Sequence, residues 1–116
     1  MPNMFRTPQI PEIPVSEVER HQRAGGLLLD VRERAEFATG HAPGAVNLPL
    51  SELGAGVDQL DTVRPVAVIC RSGNRSAMAA QYLRDLGVEA VNVAGGMAAW
   101  QASGLATAVP HQARSA

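Results

Sequence analysis

Residues 66–76 read Val66-Ala67-Val68-Ile69-Cys70-Arg71-Ser72-Gly73-Asn74-Arg75-Ser76. An unbroken apolar run stops at a cysteine, and a short polar stretch containing one glycine follows. Four consecutive apolar residues, β-branched at three positions, predict a strand buried on both faces. Arg75–Leu86 then predicts a helix, with Ala79, Leu83 and Leu86 at helical spacing and Gly87 just past its end. Cys70–Asn74 is therefore a tight loop between a buried strand and a helix N-terminus.

Working outward, the same alternation repeats. Upstream, Leu27–Leu29 is a second continuous apolar strand, ending at Asp30. Glu33–Ala38 predicts a short helix closed by Gly40, His41–Gly44 a turn, and Ala45–Leu48 a short strand. Ser51 is placed to cap a helix weakened by Gly54 and Gly56. Nearer the start, Ile10–Pro14 predicts an edge strand, since prolines are tolerated only there. Ser16 and Glu19 form a capping-box pattern for a helix reaching Arg23. Downstream come a strand at Ala90–Val93 and a helix at Met97–Ala102, introduced by Gly95-Gly96 and closed by Gly104. Strands alternating with helices, with fully apolar central strands, define an α/β fold: a central parallel sheet with helices on both faces. Residues 10–105 form the domain, 1–9 a flexible arm and 106–116 a frayed tail. Such sheets bind ligands beyond the carboxyl ends of their strands. Asp30-Val31-Arg32 and Cys70–Ser76 deliver polar residues to that edge.

Composition sets limits. The chain has 116 residues, 46% hydrophobic, with a formal net charge of −1 and 3% aromatics. That length suits one domain. The charge and the scarcity of rings argue against a nucleic-acid partner. No apolar run is long enough to span a bilayer. The first residues lack the apolar segment of a secretory signal, so a soluble, cytoplasmic protein is expected. All ten basic residues are Arg, so only position can mark one as functional. The single Cys excludes an internal disulfide and a cysteine metal cluster.

A lone cysteine is commonly a small core residue. The surroundings of Cys70 argue otherwise. A tight loop can direct successive backbone N–H groups at the sulfur, and Gly73 permits the left-handed turn this needs. The helix N-terminus adds positive partial charge. Arg71 and Arg75 add formal charge, and Ser72 and Ser76 add hydroxyl donors. A free thiol with a pKa of about 8.5 is only about 3% thiolate at neutral pH, and each of these features favours the thiolate. Asp30 is placed to accept hydrogen bonds from the Cys70 loop, the alternative being an ordinary salt bridge with Arg32 or a helix cap. A carboxylate touching the sulfur would oppose ionisation, so Asp30 reads as loop support. His41, among Gly and Pro, reads as a structural turn residue, while His21 and His111 read as solvated. Glu33 and Glu36 read as solvated helix charges. Met78 and Met97 read as packing residues, Trp100 as a core residue or a rim of the pocket, and Phe37 as the anchor of its helix.

Several of these stretches resemble a rhodanese-like domain. Asp30-Val31-Arg32-Glu33 with Glu36-Phe37, then Gly40-His41-Ala42-Pro43-Gly44-Ala45-Val46-Asn47, resembles the family's first signature. Cys70–Ser76 resembles its active-site loop, and Gly95-Gly96 with Trp100 its closing motif. The resemblance implies a single-domain thiosulfate sulfurtransferase working in two half-reactions through a persulfide on Cys70, with no metal or organic cofactor. It implies that Arg71, Ser72, Gly73, Asn74, Arg75 and Ser76 bind the donor, a small sulfur-containing anion. Cell-cycle-type phosphatases share the fold but carry a loop longer by one residue. Here only Arg71, Ser72, Gly73 and Asn74 separate Cys70 from Arg75. The smaller cradle suits sulfur transfer over phosphate hydrolysis or arsenate reduction. The alternative is a sulfur-carrier or docking module, loaded by a donor protein or unloaded by an acceptor protein.

Overall fold

A computed structural model of the chain describes residues 10–110. The expected arm, residues 1–9, and His111 lie outside the described residues. The strands are β1 (Glu12–Ile13), β2 (Leu27–Asp30), β3 (Val46–Asn47), β4 (Val66–Ile69) and β5 (Ala90–Val93). The helices are α1 (Val18–Arg23), α2 (Arg34–Ala38), α3 (Leu53–Gly56), α4 (Asn74–Asp85) and α5 (Gly96–Ala102). All five strands are parallel, in the order β1-β5-β4-β2-β3. The short β1, flanked by Pro11 and Pro14, is the edge strand its prolines require.

Every residue of β2 and β4 is buried. The two-residue period of a strand divides them between two cores. Leu27, Leu29, Val66, Val68 and Cys70 face α3 and α4, packing with Leu53, Ala79, Ala80 and Leu83. Leu28, Ala67 and Ile69 face α1 and α5, packing with Val15, Val18, Met97 and Trp100. Burial of each large aliphatic side chain contributes about 1.5–3 kcal/mol, and the central pair of strands collects most of them. The phase also fixes the direction of Cys70: it follows Val66 and Val68 onto the α4 side.

Local readings need correction where the chain enters or leaves helices. Ser16 and Ser51 do not cap helices. Each lies inside a 3-10 turn, Val15–Glu17 and Leu50–Glu52, that runs directly into α1 or α3. Pro14 and Pro49 precede these turns with φ of −74° and −55°. The ring's fixed φ starts each turn, so no side-chain cap is needed. Leu86 caps the end of α4 and is exposed, and Met78 is 65% exposed, so neither packs in the core. The first part of the expected frayed tail is tied down. Trp100 Nε1 donates to Ala106 O at 2.9 Å, and Ala108 exchanges two backbone hydrogen bonds with His41.

Candidate active site

The chain leaves β4 at Ile69 and folds Cys70–Gly73 back beneath the N-terminus of α4. Gly73 has φ +107°, a conformation L side chains rarely adopt. That turn aims its N–H at Cys70 Sγ, 3.1 Å away. The loop's carbonyls point the opposite way. Cys70 O and Arg71 O accept from Met97 N and Ala98 N of α5 at 2.8 and 2.9 Å. This contact requires Gly96: a Cβ there would lie 2.3 Å from Cys70 O and 2.8 Å from Arg71 O. Gly95-Gly96 is thus the seat of the loop. With carbonyls engaged by α5, the N–H groups are free to converge on the sulfur.

Cys70 is almost wholly buried. Burial by itself pushes a thiol's pKa up. The Ser76 hydroxyl, 3.2 Å from Sγ, and the backbone N–H groups of Ser76, Gly73 and Ser72 outweigh that penalty, and the pKa lies below the ordinary value. Among the groups expected to favour the thiolate, the hydrogen-bond donors, led by Ser76, are the main cause, and the Arg75 charge also couples to Cys70.

The arginines play different parts. Arg75 is tied to Glu36 of α2 by two hydrogen bonds, NH1 to Oε1 at 2.6 Å and NH2 to Oε2 at 2.9 Å. Glu36 also accepts from Glu33 N at 2.9 Å. The Arg75 hydrogen bonds hold the Glu36 carboxyl at about 2, well below the usual carboxylate range, against the opposing effect of burial. Glu36 is therefore no idle surface charge, and Arg75 anchors the helix rather than extending into solvent. Arg71, Ser72 and Asn74 are exposed on the loop. Among the described residues, Arg71 has no ion-pair partner.

Asp30 does not accept hydrogen bonds from the Cys70 loop. Its carboxylate, completely buried, takes Arg32 N, Nε and NH2 at 2.9–3.1 Å. Arg32 passes its remaining reach to Gly40 O at 2.8 Å. The pair braces the turn that leads into and out of α2, so its support of the loop runs indirectly, through Glu36 to Arg75. His41 is structural: Nδ1 contacts Phe37 O at 3.1 Å, and its ring stacks on that of Phe37 at 3.7 Å. His21 is not merely solvated, since its Nε2 contacts Leu27 O at 2.9 Å.

Sequence reading missed Asn92. It is 2% exposed and shares the phase of Ala90, which places it on the α4 face of β5. Its side chain meets Ser76, Gly73 and Glu12. A polar residue at a core-facing position of an otherwise apolar strand was the available signal.

A thiol with a lowered pKa, held by donors at the carboxyl edge of a parallel sheet, defines an anion-stabilising cysteine site. The sequence profile of the Rhodanese-like domain matches residues 14–103, and the chain belongs to that family. A Bacillus subtilis (strain 168) protein named "Putative sulfurtransferase YtwF" is 42% identical over 74 residues, 64% of this chain and 72% of that one. The rhodanese-related protein of Thermoplasma volcanium superposes with a TM-score of 0.80 at 34% identity, covering 85% of this chain and 98% of its own. The thiosulfate sulfurtransferase of Pseudomonas aeruginosa gives a TM-score of 0.80 at 27% identity, over 90% of this chain but 20% of that protein. Among the described residues, no group of three His, Cys, Asp or Glu side chains could hold a metal ion. No described helix is long and apolar enough to cross a membrane.

Proposed function

We propose that this protein is a sulfurtransferase that takes sulfane sulfur from thiosulfate or a persulfide donor onto Cys70 and hands it to a thiophilic acceptor. The observation that carries this reading is the convergence of Gly73 N and Ser76 Oγ on a buried Sγ whose pKa is lowered. The thiolate attacks the outer sulfur of thiosulfate. The S–S bond of the donor breaks, its electron pair leaves with sulfite, and Cys70 becomes a persulfide. Cyanide or a thiolate then attacks the outer sulfur, and the pair returns to Cys70 as thiolate. This is covalent catalysis by an activated nucleophile. Arg71, with Ser72 and Asn74, receives the donor's oxyanion, because Arg75 is engaged with Glu36 and Ser76 with sulfur.

Intact mass after incubation with thiosulfate tests the reading. A gain of one sulfur atom is expected with the wild type, reversed by cyanide, and none with Cys70→Ser. If the wild type gains nothing while Cys70 alkylates readily, free thiosulfate is not the donor, and loading by a persulfide-bearing protein becomes the reading to test.

A further inference from the structure

Ser76 has one hydroxyl proton and two acceptors within reach. Oγ lies 3.2 Å from Cys70 Sγ and 2.5 Å from Asn92 Oδ1. The orientation of the Asn92 amide follows from its other contacts. Nδ2 donates to Gly73 O at 3.1 Å and to Glu12 Oε2 at 3.0 Å. Turned over, the amide would set its oxygen against a carboxylate and a carbonyl, so Oδ1 must face Ser76. Ser76 is wholly buried and Asn92 nearly so, which leaves no described competitor for that proton.

The direction of the proton then depends on the charge of sulfur. With a neutral thiol, Ser76 donates to Asn92 Oδ1, and S–H can donate to Oγ. With a thiolate, Ser76 turns to the stronger acceptor, and Asn92 Oδ1 loses its buried donor. On formation of the persulfide, the charge moves to the outer sulfur. Sγ becomes a weak acceptor, and the proton returns to Asn92.

We propose that Asn92 is a positioning residue that competes with Cys70 for the Ser76 proton, restraining the bare thiolate and favouring the sulfur-loaded state, with Glu12 fixing the amide that does so. The part concerning the loaded state rests on the sulfurtransferase reading. The part concerning the thiol does not. The other charged groups around the site are Arg71 and Arg75 of the loop and α4, Glu36 of α2 and Glu33 just before it, the Asp30–Arg32 pair at the end of β2, and Glu12 of β1. Replacing Asn92 leaves all of their charges in place.

The test is the pH profile of Cys70 alkylation by iodoacetamide in the full chain, which needs no sulfur donor. Ser76→Ala should move the midpoint up. Asn92→Ala should move it down, raising the alkylation rate below the midpoint about fivefold, the equivalent of one neutral hydrogen bond. In a Ser76→Ala background, Asn92→Ala should do nothing. An upward shift with Asn92→Ala, or an equal shift in both backgrounds, would overturn the proposal and reduce Asn92 to a brace for Gly73 O. Should Asn92→Ala fail to fold, Glu12→Ala on the exposed edge strand carries the test: the lost carboxylate charge shifts the midpoint down in both backgrounds, a shift larger with Ser76 present than in the Ser76→Ala background supports the competition, and an equal shift in both is the charge alone and overturns it.

Discussion

The segments leaving β2 and β4 start side by side, with Asp30 paired to Ile69 in the sheet, yet they use polar groups in opposite ways. After β2, the polar groups close on one another. Asp30 takes three donors from Arg32, Arg32 continues to Gly40 O, and Asn47 Nδ2 bonds both Asp30 O and Arg32 O. After β4, donors converge on a single sulfur, and Arg71 is left facing solvent. The first arrangement is satisfied without a ligand and makes structure. The second gathers donors on one sulfur and leaves Arg71 without an ion-pair partner among the described residues, the arrangement on which the proposed chemistry rests. Both carry Arg within two residues of the strand end, so residue type alone does not separate them; the presence of a nearby carboxylate does.

The largest effect should follow from breaking the closed segment. Asp30→Ala leaves the Arg32 guanidinium buried without its partner, at a cost of about 3–5 kcal/mol. Urea unfolding should show that loss. The Cys70 alkylation profile of the folded variant should stay close to wild type, because Asp30 does not touch the loop. A profile displaced as far as that of Ser76→Ala would erase the distinction between the two segments.

A smaller effect is expected on the open segment, and on function rather than stability. Arg71→Ala removes the exposed guanidinium. It should raise the KM for thiosulfate about tenfold or more, as expected for loss of a charge-assisted hydrogen bond, with the unfolding midpoint unchanged. Arg75→Ala should do the reverse: a modest loss of stability and a smaller change in KM. Equal effects of the two variants on KM would show that Arg75 leaves Glu36 to meet the donor.

How far the sequence could be read follows from the range of the interactions involved. The sheet was legible because Leu27–Leu29 and Val66–Ile69 announce two-sided burial locally. The Cys70 loop was legible because a glycine, two serines and a helix start lie within a few residues of the sulfur. Ser16 and Ser51 misled because a 3-10 turn after proline can carry the same serine as a helix cap, and at Ser16 the Glu19 of a capping box as well. The roles of Glu36 and Asn92 were not legible. Arg75 meets a carboxylate 39 residues away, and Ser76 an amide 16 residues away. Only the crossovers of the sheet bring them together. Asp30 misled for the opposite reason. Its partner was two residues away, and a nearer competitor satisfied it before the loop could.

The smallest effect concerns the link between the two segments, Glu36–Arg75. The Glu36 carboxyl is held at about 2 against an ordinary 4.5. A carboxylate whose pKa is depressed on folding contributes stability above its unfolded pKa, and that contribution is lost as pH falls through the folded value. The pair is about one-third exposed on each side, so solvent screens it, and its contribution is about 1 kcal/mol or less. Glu36→Gln should therefore lower the urea midpoint slightly at neutral pH. Between about pH 4.5 and 2 the wild type should lose that margin and the two curves should converge. Curves that stay parallel across that window would mean that Glu36 acts through its hydrogen bond to Glu33 N and shape, with the charge on Arg75 incidental to holding α2 against the reactive loop.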